Sequence, residues 1–148
     1  NNLYVYDLAS KTSTAITTDG KKNSIINGIT DWVYEEEFAF VKAFDWSADS
    51  KKVAYIRFDE SEVPEFSMSI FNKNLYPNVE TFKYPKPGEK NSVVSLHIYD
   101  AATARTKKVN LRNYTEFYIA RLKWTNDANV LSVSAWPSRT LTFRTSFL

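Results

Sequence analysis

Three consecutive carboxylates, Glu35-Glu36-Glu37, follow Asn27-Gly28-Ile29-Thr30-Asp31-Trp32-Val33-Tyr34 in this 148-residue chain. Adjacent carboxylates repel, more strongly when walled off from water, and a cation relieves the repulsion. Thr30 or Asp31 is placed to cap the start of a short helix, whose positive end suits the early acidic residues. Successive helical residues stand about 100° apart in azimuth. Two neighbouring glutamates can therefore grip one ammonium from two sides while the third points elsewhere, with Trp32 and Tyr34 anchoring the turn. A capped helical turn whose glutamates simply face water satisfies the same residues, since charge runs are usually solvated faces. The residue types leave both readings open.

Other chemistry is scarce. The glycines Gly20, Gly28 and Gly88 are too scattered to build a Gly-x-Ser-x-Gly nucleophile elbow. The one histidine, His97, lies in Leu96-His97-Ile98-Tyr99, has no assignable triad partners, and reads as a strand-face residue. Absence of cysteine excludes a disulfide framework, a thiol nucleophile and a Cys-built zinc site. Asp59-Glu60-Ser61-Glu62 offers hard oxygen ligands without EF-hand spacing and reads as an acidic hairpin end, so no metal and no cofactor is expected. With 19 Lys+Arg against 17 Asp+Glu, the near-balanced charge leaves no basic footprint for nucleic acid. No apolar run approaches the ~18 residues of a membrane-spanning helix, and Asn1-Asn2-Leu3-Tyr4 has no signal pattern.

The elements that must position these residues are strands. Aromatics make up 16% of the chain against only three glycines, which favours pleated sheet. Leu3-Tyr4-Val5-Tyr6-Asp7-Leu8, a turn and Ser13 to Thr18 read as a hairpin, and Leu96-His97-Ile98-Tyr99-Asp100 repeats its outline. A second hairpin type, Phe44-Asp45-Trp46-Ser47 returning as Val53-Ala54-Tyr55-Ile56, recurs as Leu122-Lys123-Trp124-Thr125 returning through Val130 to Val133. Alternation of the two types gives four antiparallel strands per repeat, the arrangement of a β-propeller blade. The fold expected is all-β: a partial propeller with a half blade at 1–18, an acidic helix segment at 27–38, a full blade at 40–111 and the start of another at 117–148. A closed propeller needs roughly four blades or more, so this count is a part of one. Residues 59–91 interrupt the full blade and hold Pro64, Pro77, Pro85 and Pro87, which marks an excursion with edge-type strands near Phe66 to Phe71 and Val79 to Tyr84. Excursions of this length are usually functional.

On these residues the chain resembles the dipeptidyl peptidase IV group of the prolyl oligopeptidase family of serine peptidases. The stretch Asn27 to Glu37 is similar to that group's double-glutamate segment. Asp45-Trp46-Ser47, Ala54-Tyr55-Ile56-Arg57-Phe58, Glu62-Val63-Pro64, Tyr76-Pro77 and Lys83-Tyr84-Pro85-Lys86-Pro87-Gly88 follow in the family's order. The similarity covers roughly residues 1 to 133; Ala135-Trp136-Pro137-Ser138-Arg139-Thr140 departs from it, although Leu141, Phe143, Thr145 and Phe147 alternate with polar residues as a strand would.

The resemblance implies an N-terminal propeller that caps an α/β-hydrolase domain lying outside this chain. It implies that Glu36 and Glu37 hold the free amino terminus of peptide substrates, so that cleavage follows the second residue, Pro or Ala. It implies too that residues 64–86 form an arm for homo-oligomerisation through Pro64, Phe66, Ile70, Phe71, Tyr76, Phe82 and Tyr84, with open strand edges as a further route to self-association. Relatives are periplasmic, secreted or membrane-anchored, and a chain without the serine, aspartate and histidine machinery is expected to be inactive alone. The competing reading is a non-enzymatic β-repeat module for binding or adhesion.

Overall fold

The computed structural model describes residues 1–111, 116–137 and 144–147. A first hairpin joins β1 (Tyr4–Asp7) to β2 (Thr12–Ala15). Its Tyr-Asp turn has a local cause, because the Asp7 carboxylate accepts from both the backbone N–H and the hydroxyl of Ser10 at 2.6 and 2.9 Å. The same device closes the later hairpin, where Asp100 accepts from Thr103 N–H and Oγ1 at 2.9 and 3.1 Å. Side chains that bond their own backbone a few residues on favour turns over continued strand.

The middle blade is built around β5 (Lys52–Asp59). On one edge it pairs with β8 (Val93–Asp100), which continues to β9 (Arg105–Lys108). On the other edge it pairs with two short pieces, β3 (Ile25–Asn27) against Asp59 to Arg57 and β4 (Phe44–Trp46) against Tyr55 to Val53. One blade strand is thus split in two, and the blade takes in residues ahead of position 40, where the hairpin pattern starts it. Three residues of β3 are too few for a period to show in sequence.

Strand β5 is buried on both faces, which is why Val53-Ala54-Tyr55-Ile56 is a continuous apolar run rather than an alternation. Val53 and Tyr55 join Tyr99, Leu3 and Phe44 toward the first hairpin. Ala54, Ile56 and Phe58 join Leu96, Ile119, Trp124, Leu131 and Val133 on the opposite side. That second core lies against a sheet of β10 (Phe117–Trp124), β11 (Leu131–Pro137) and β12 (Arg144–Phe147). Thr145 and Phe147 fall within β12, whereas Leu141 and Phe143 of the expected alternation lie outside the described residues.

Away from β11, two N–H groups of β10 are met by side chains of the middle blade: Ile119 N–H donates to Tyr34 Oη and Trp124 N–H to Asp45 Oδ2, both at 2.9 Å. Buried backbone donors need partners, so these bonds fix one blade against the next. The excursion after β5 forms a two-stranded ribbon of β6 (Glu65–Ile70) and β7 (Asn78–Lys83). Together these sheets make a partial propeller, with a half blade, a four-stranded blade and the strands of a third.

Candidate functional site

The break between β3 and β4 is filled by a stalk that carries the acidic helix. Gly28 starts it, with φ +75 and a backbone so close to Leu3 that an added Cβ would lie 2.9 Å from Leu3 Cδ1. Both facts call for glycine at this point. Gly28 N–H donates to Ile56 O, Ile56 N–H to Ala43 O, and Ala43 N–H to Gly28 O, each at 2.9 to 3.0 Å, so the outgoing and returning chains meet on one residue of β5. Thr30 donates from N–H to Val41 O and from Oγ1 to Phe40 O.

Helix α1 (Trp32–Phe38) sits at the end of that stalk. Of the two possible caps it uses Asp31, whose carboxylate accepts from Tyr34 N–H at 3.0 Å and, through its other oxygen, from Ser92 Oγ. Burial pushes the Asp31 carboxyl above its ordinary value, while the bonds from Ser92 and Tyr34 pull it back. Tyr34 anchors the helix. It is 1% exposed, its ring lies edge-on to Phe58 at 4.8 Å and beside Phe38 at 5.0 Å and Tyr118 at 6.0 Å, and its hydroxyl is the partner of Ile119. Trp32 packs outward on Tyr84 at 4.3 Å, where the ribbon returns to the blade.

With one face of α1 pinned this way, Glu35, Glu36 and Glu37 are all left exposed. They are not equivalent. Glu35 lines a cavity of about 280 Å³ with Thr30, Asp31, Trp32, Glu60 and Lys83. Glu36 and Glu37 do not line it, and neither side chain has a hydrogen-bond or ion-pair partner among the described residues. Both occupy the C-terminal half of α1, ahead of Phe38 and the left-handed Ala39 at φ 54, and no basic residue stands in the last turn. Carboxylates at a helix C-terminus are disfavoured by the partial negative charge of its free carbonyls. For exposed side chains this cost is small, and a cation near them lowers it.

The ribbon divides the arm residues into two groups. At its base Phe66, Phe82 and Tyr84 form a mutual ring cluster with centroids 5.6 to 6.4 Å apart, and Pro64 and Ile70 are half-buried. At its tip Phe71, Leu75 and Tyr76 are 58, 93 and 83% exposed. Lys83, its ammonium on Val63 O at 2.8 Å and near Glu65 at 3.6 Å, ties the base down.

His97 is half-buried on β8, stacked on Tyr55 at 5.3 Å and in contact with Ser95 Oγ at 3.0 Å. Ser95 is its own strand neighbour, buried at 9% exposure, so the pair has no open nucleophile face. In the acidic hairpin end, Asp59 accepts from Ser61 and lies 3.7 Å from Arg57, and Glu62 pairs with Lys90 at 3.1 Å. Glu60 points into the cavity beside Asp31, and burial raises its carboxyl.

Sequence reading did not single out Arg121. Its Nη1 donates to Phe38 O, the last residue of α1, at 3.0 Å and to Ala120 O at 2.6 Å.

Comparison with known proteins places this geometry in a family. Residues 1–141 match the model described as the dipeptidyl peptidase IV N-terminal region. The chain is 40% identical over 146 residues to the probable dipeptidyl-aminopeptidase B of Talaromyces stipitatus, covering 88% of this chain and 16% of that protein. It is 41% identical over 125 residues to the protein of the same name from Arthroderma benhamiae, covering 76% of this chain and 14% of that protein. Among solved structures, the crystal structure of Porphyromonas gingivalis dipeptidyl peptidase 4 superposes with a TM-score of 0.94 at 43% identity, covering 100% of this chain and 21% of that one. The chain therefore spans about a sixth of the length of these curated relatives.

Proposed function

This chain belongs to the dipeptidyl peptidase IV N-terminal region family, and from that premise we propose that it is the substrate-recognition segment of a serine-type dipeptidyl peptidase removing N-terminal Xaa-Pro and Xaa-Ala dipeptides. Glu36 and Glu37 hold the substrate's free ammonium. The observation that carries this reading is a pair of exposed carboxylates, without a partner among the described residues, on a helix whose other face is pinned by a buried tyrosine. Charge-assisted N–H···O bonds to two carboxylates are stronger than neutral ones and directional. They set the distance from the amine to the scissile bond, so the reacting carbonyl is oriented before chemistry begins. These glutamates measure length and do not break bonds.

The nucleophile, base and acid belong to the α/β-hydrolase domain of the longer protein, and this chain alone is inactive. No cofactor enters its role. The tip of the ribbon, with Phe71, Leu75 and Tyr76, is the oligomerisation surface, since three large apolar side chains left exposed at one ribbon end favour cover by a partner. The protein works outside the cytoplasm, as a periplasmic, secreted or membrane-anchored enzyme. The adhesion reading draws on these tip aromatics alone and leaves the acidic helix without a purpose.

Kinetics on the full-length protein test the clamp. Glu36→Gln and Glu37→Gln should each lower kcat/KM for a free-amine Xaa-Pro chromogenic substrate by about 100-fold, the scale of a lost orienting contact. Acetylating the amine should impose a comparable loss on the wild type and little further loss on the variants. Unchanged kinetics in both variants would return the glutamates to a solvated helix end.

A further inference from the structure

The glutamates stand at the end of α1 that is least secure by itself. Its last carbonyls lack intrahelical donors, it has no basic residue in its final turn, and Ala39 beyond it is left-handed without being glycine. The donor comes from another blade. Arg121 Nη1 bonds Phe38 O at 3.0 Å and Ala120 O at 2.6 Å, with the guanidinium carbon 5.5 Å from the Phe40 ring centroid. One planar group thus ties the helix end and the stalk's returning chain to β10.

A backbone irregularity delivers it. Ile119 pairs with Ala135 and Arg121 with Ser134, so Ala120 is one residue in excess on β10. In a regular strand Arg121 and Lys123 would share the face of Phe117 and Ile119 and enter the core. The bulge reverses the phase: Leu122 and Trp124 go to the core, while Arg121 and Lys123 are exposed. Bulges re-aim side chains and are found beside functional sites. Lys123 does not duplicate the task, because its ammonium lies 3.3 Å from Asp45.

We propose that Arg121 is a positioning residue for the amine clamp, fixing the C-terminal turn of α1 and with it the directions from which Glu36 and Glu37 meet an ammonium. This rests on the clamp reading above. Lysine is a poor substitute, since the two-carbonyl bridge and the ring contact need a planar fork.

The test is steady-state kinetics of the full-length protein on a free-amine Xaa-Pro chromogenic substrate, with Arg121→Ala, Arg121→Lys and Arg121→Met, the last keeping an apolar stem on Phe40. Arg121→Ala and Arg121→Met should lower kcat/KM for this substrate roughly tenfold and leave kcat/KM for its acetylated counterpart within about twofold, as expected for a misplaced orienting contact. Arg121→Lys should recover part of the loss. Inhibition by the product dipeptide should weaken by a similar factor, and inhibition by its des-amino analogue should not change. A kcat/KM left at the wild-type value while Glu36→Gln lowers it would overturn the proposal and leave the clamp standing. Equal losses on the free-amine and the acetylated substrate, or equal weakening of both inhibitors, would reduce Arg121 to a structural role. If Glu36→Gln and Glu37→Gln also leave kcat/KM unchanged, the clamp fails and this inference with it.

Discussion

Two excursions leave the middle blade, and they are built in opposite ways. The stalk from Gly28 to Ala43 returns to Ile56, the residue it left, and drives Tyr34 into the core between blades. Among the described residues the ribbon β6–β7 pairs with no other strand, and it holds Leu75 and Tyr76 in solvent. The first buries Tyr34 and exposes three glutamates; the second packs aromatics at its base and exposes Phe71, Leu75 and Tyr76 at its tip. A fixed platform suits work that depends on where two carboxylates stand, whereas an apolar tip suits a surface that awaits cover. They touch where Trp32 meets Tyr84.

The sharpest way to break this contrast is Tyr34→Ala. It empties a site enclosed by Phe38, Phe40, Phe58 and Tyr118 and orphans the Ile119 N–H, and should cost about 4 kcal/mol by the usual scale for core aromatics. Denaturant unfolding checks it. A loss no larger than that of a surface substitution would mean the stalk is not anchored as described.

Next in size is the ribbon tip. Leu75→Asp with Tyr76→Arg should leave the unfolding free energy within about 0.5 kcal/mol, as for exposed positions, yet shift the full-length protein from oligomer to monomer in sedimentation velocity. An unaltered oligomer would place the partner surface elsewhere.

The smallest effect concerns the helix cap. Burial raises the Asp31 carboxyl above 3.8, so the folded state favours its protonated form. Stability from this group is therefore gained as pH falls through the raised folded value and is complete below 3.8. Relative to Asp31→Asn, the wild type should gain stability on acidification from neutral pH. A wild type that gains nothing, or loses stability, relative to Asp31→Asn on acidification would contradict the buried charge.

Much of this contrast was legible in the sequence, because it rests on local chemistry. The Tyr-Asp turns at Asp7 and Asp100 announce themselves through a side chain that bonds its own backbone. A cap at Thr30 or Asp31 and anchors at Trp32 and Tyr34 follow from residue type beside an acidic run, and the structure uses Asp31 and Tyr34. What depends on the neighbouring blade was not legible. Trp46 and Trp124 occupy equivalent places in the repeat, yet Trp46, facing a two-stranded hairpin, is 36% exposed and Trp124, facing a four-stranded blade, only 6%. Arg121 escaped for a similar reason, since its partner is a helix many residues upstream. One signal was present: Phe117 and Ile119 alternate in one phase and Leu122 and Trp124 in the other, and such a break within a strand marks a bulge.

The central claim is that Glu36 and Glu37 together hold a substrate ammonium. Its most direct test is a crystal structure of the full-length protein with a free-amine Xaa-Pro inhibitor. The account predicts the ammonium nitrogen within about 3 Å of a carboxylate oxygen from each glutamate. An inhibitor whose amine lies elsewhere, with both glutamates turned to solvent, would contradict it.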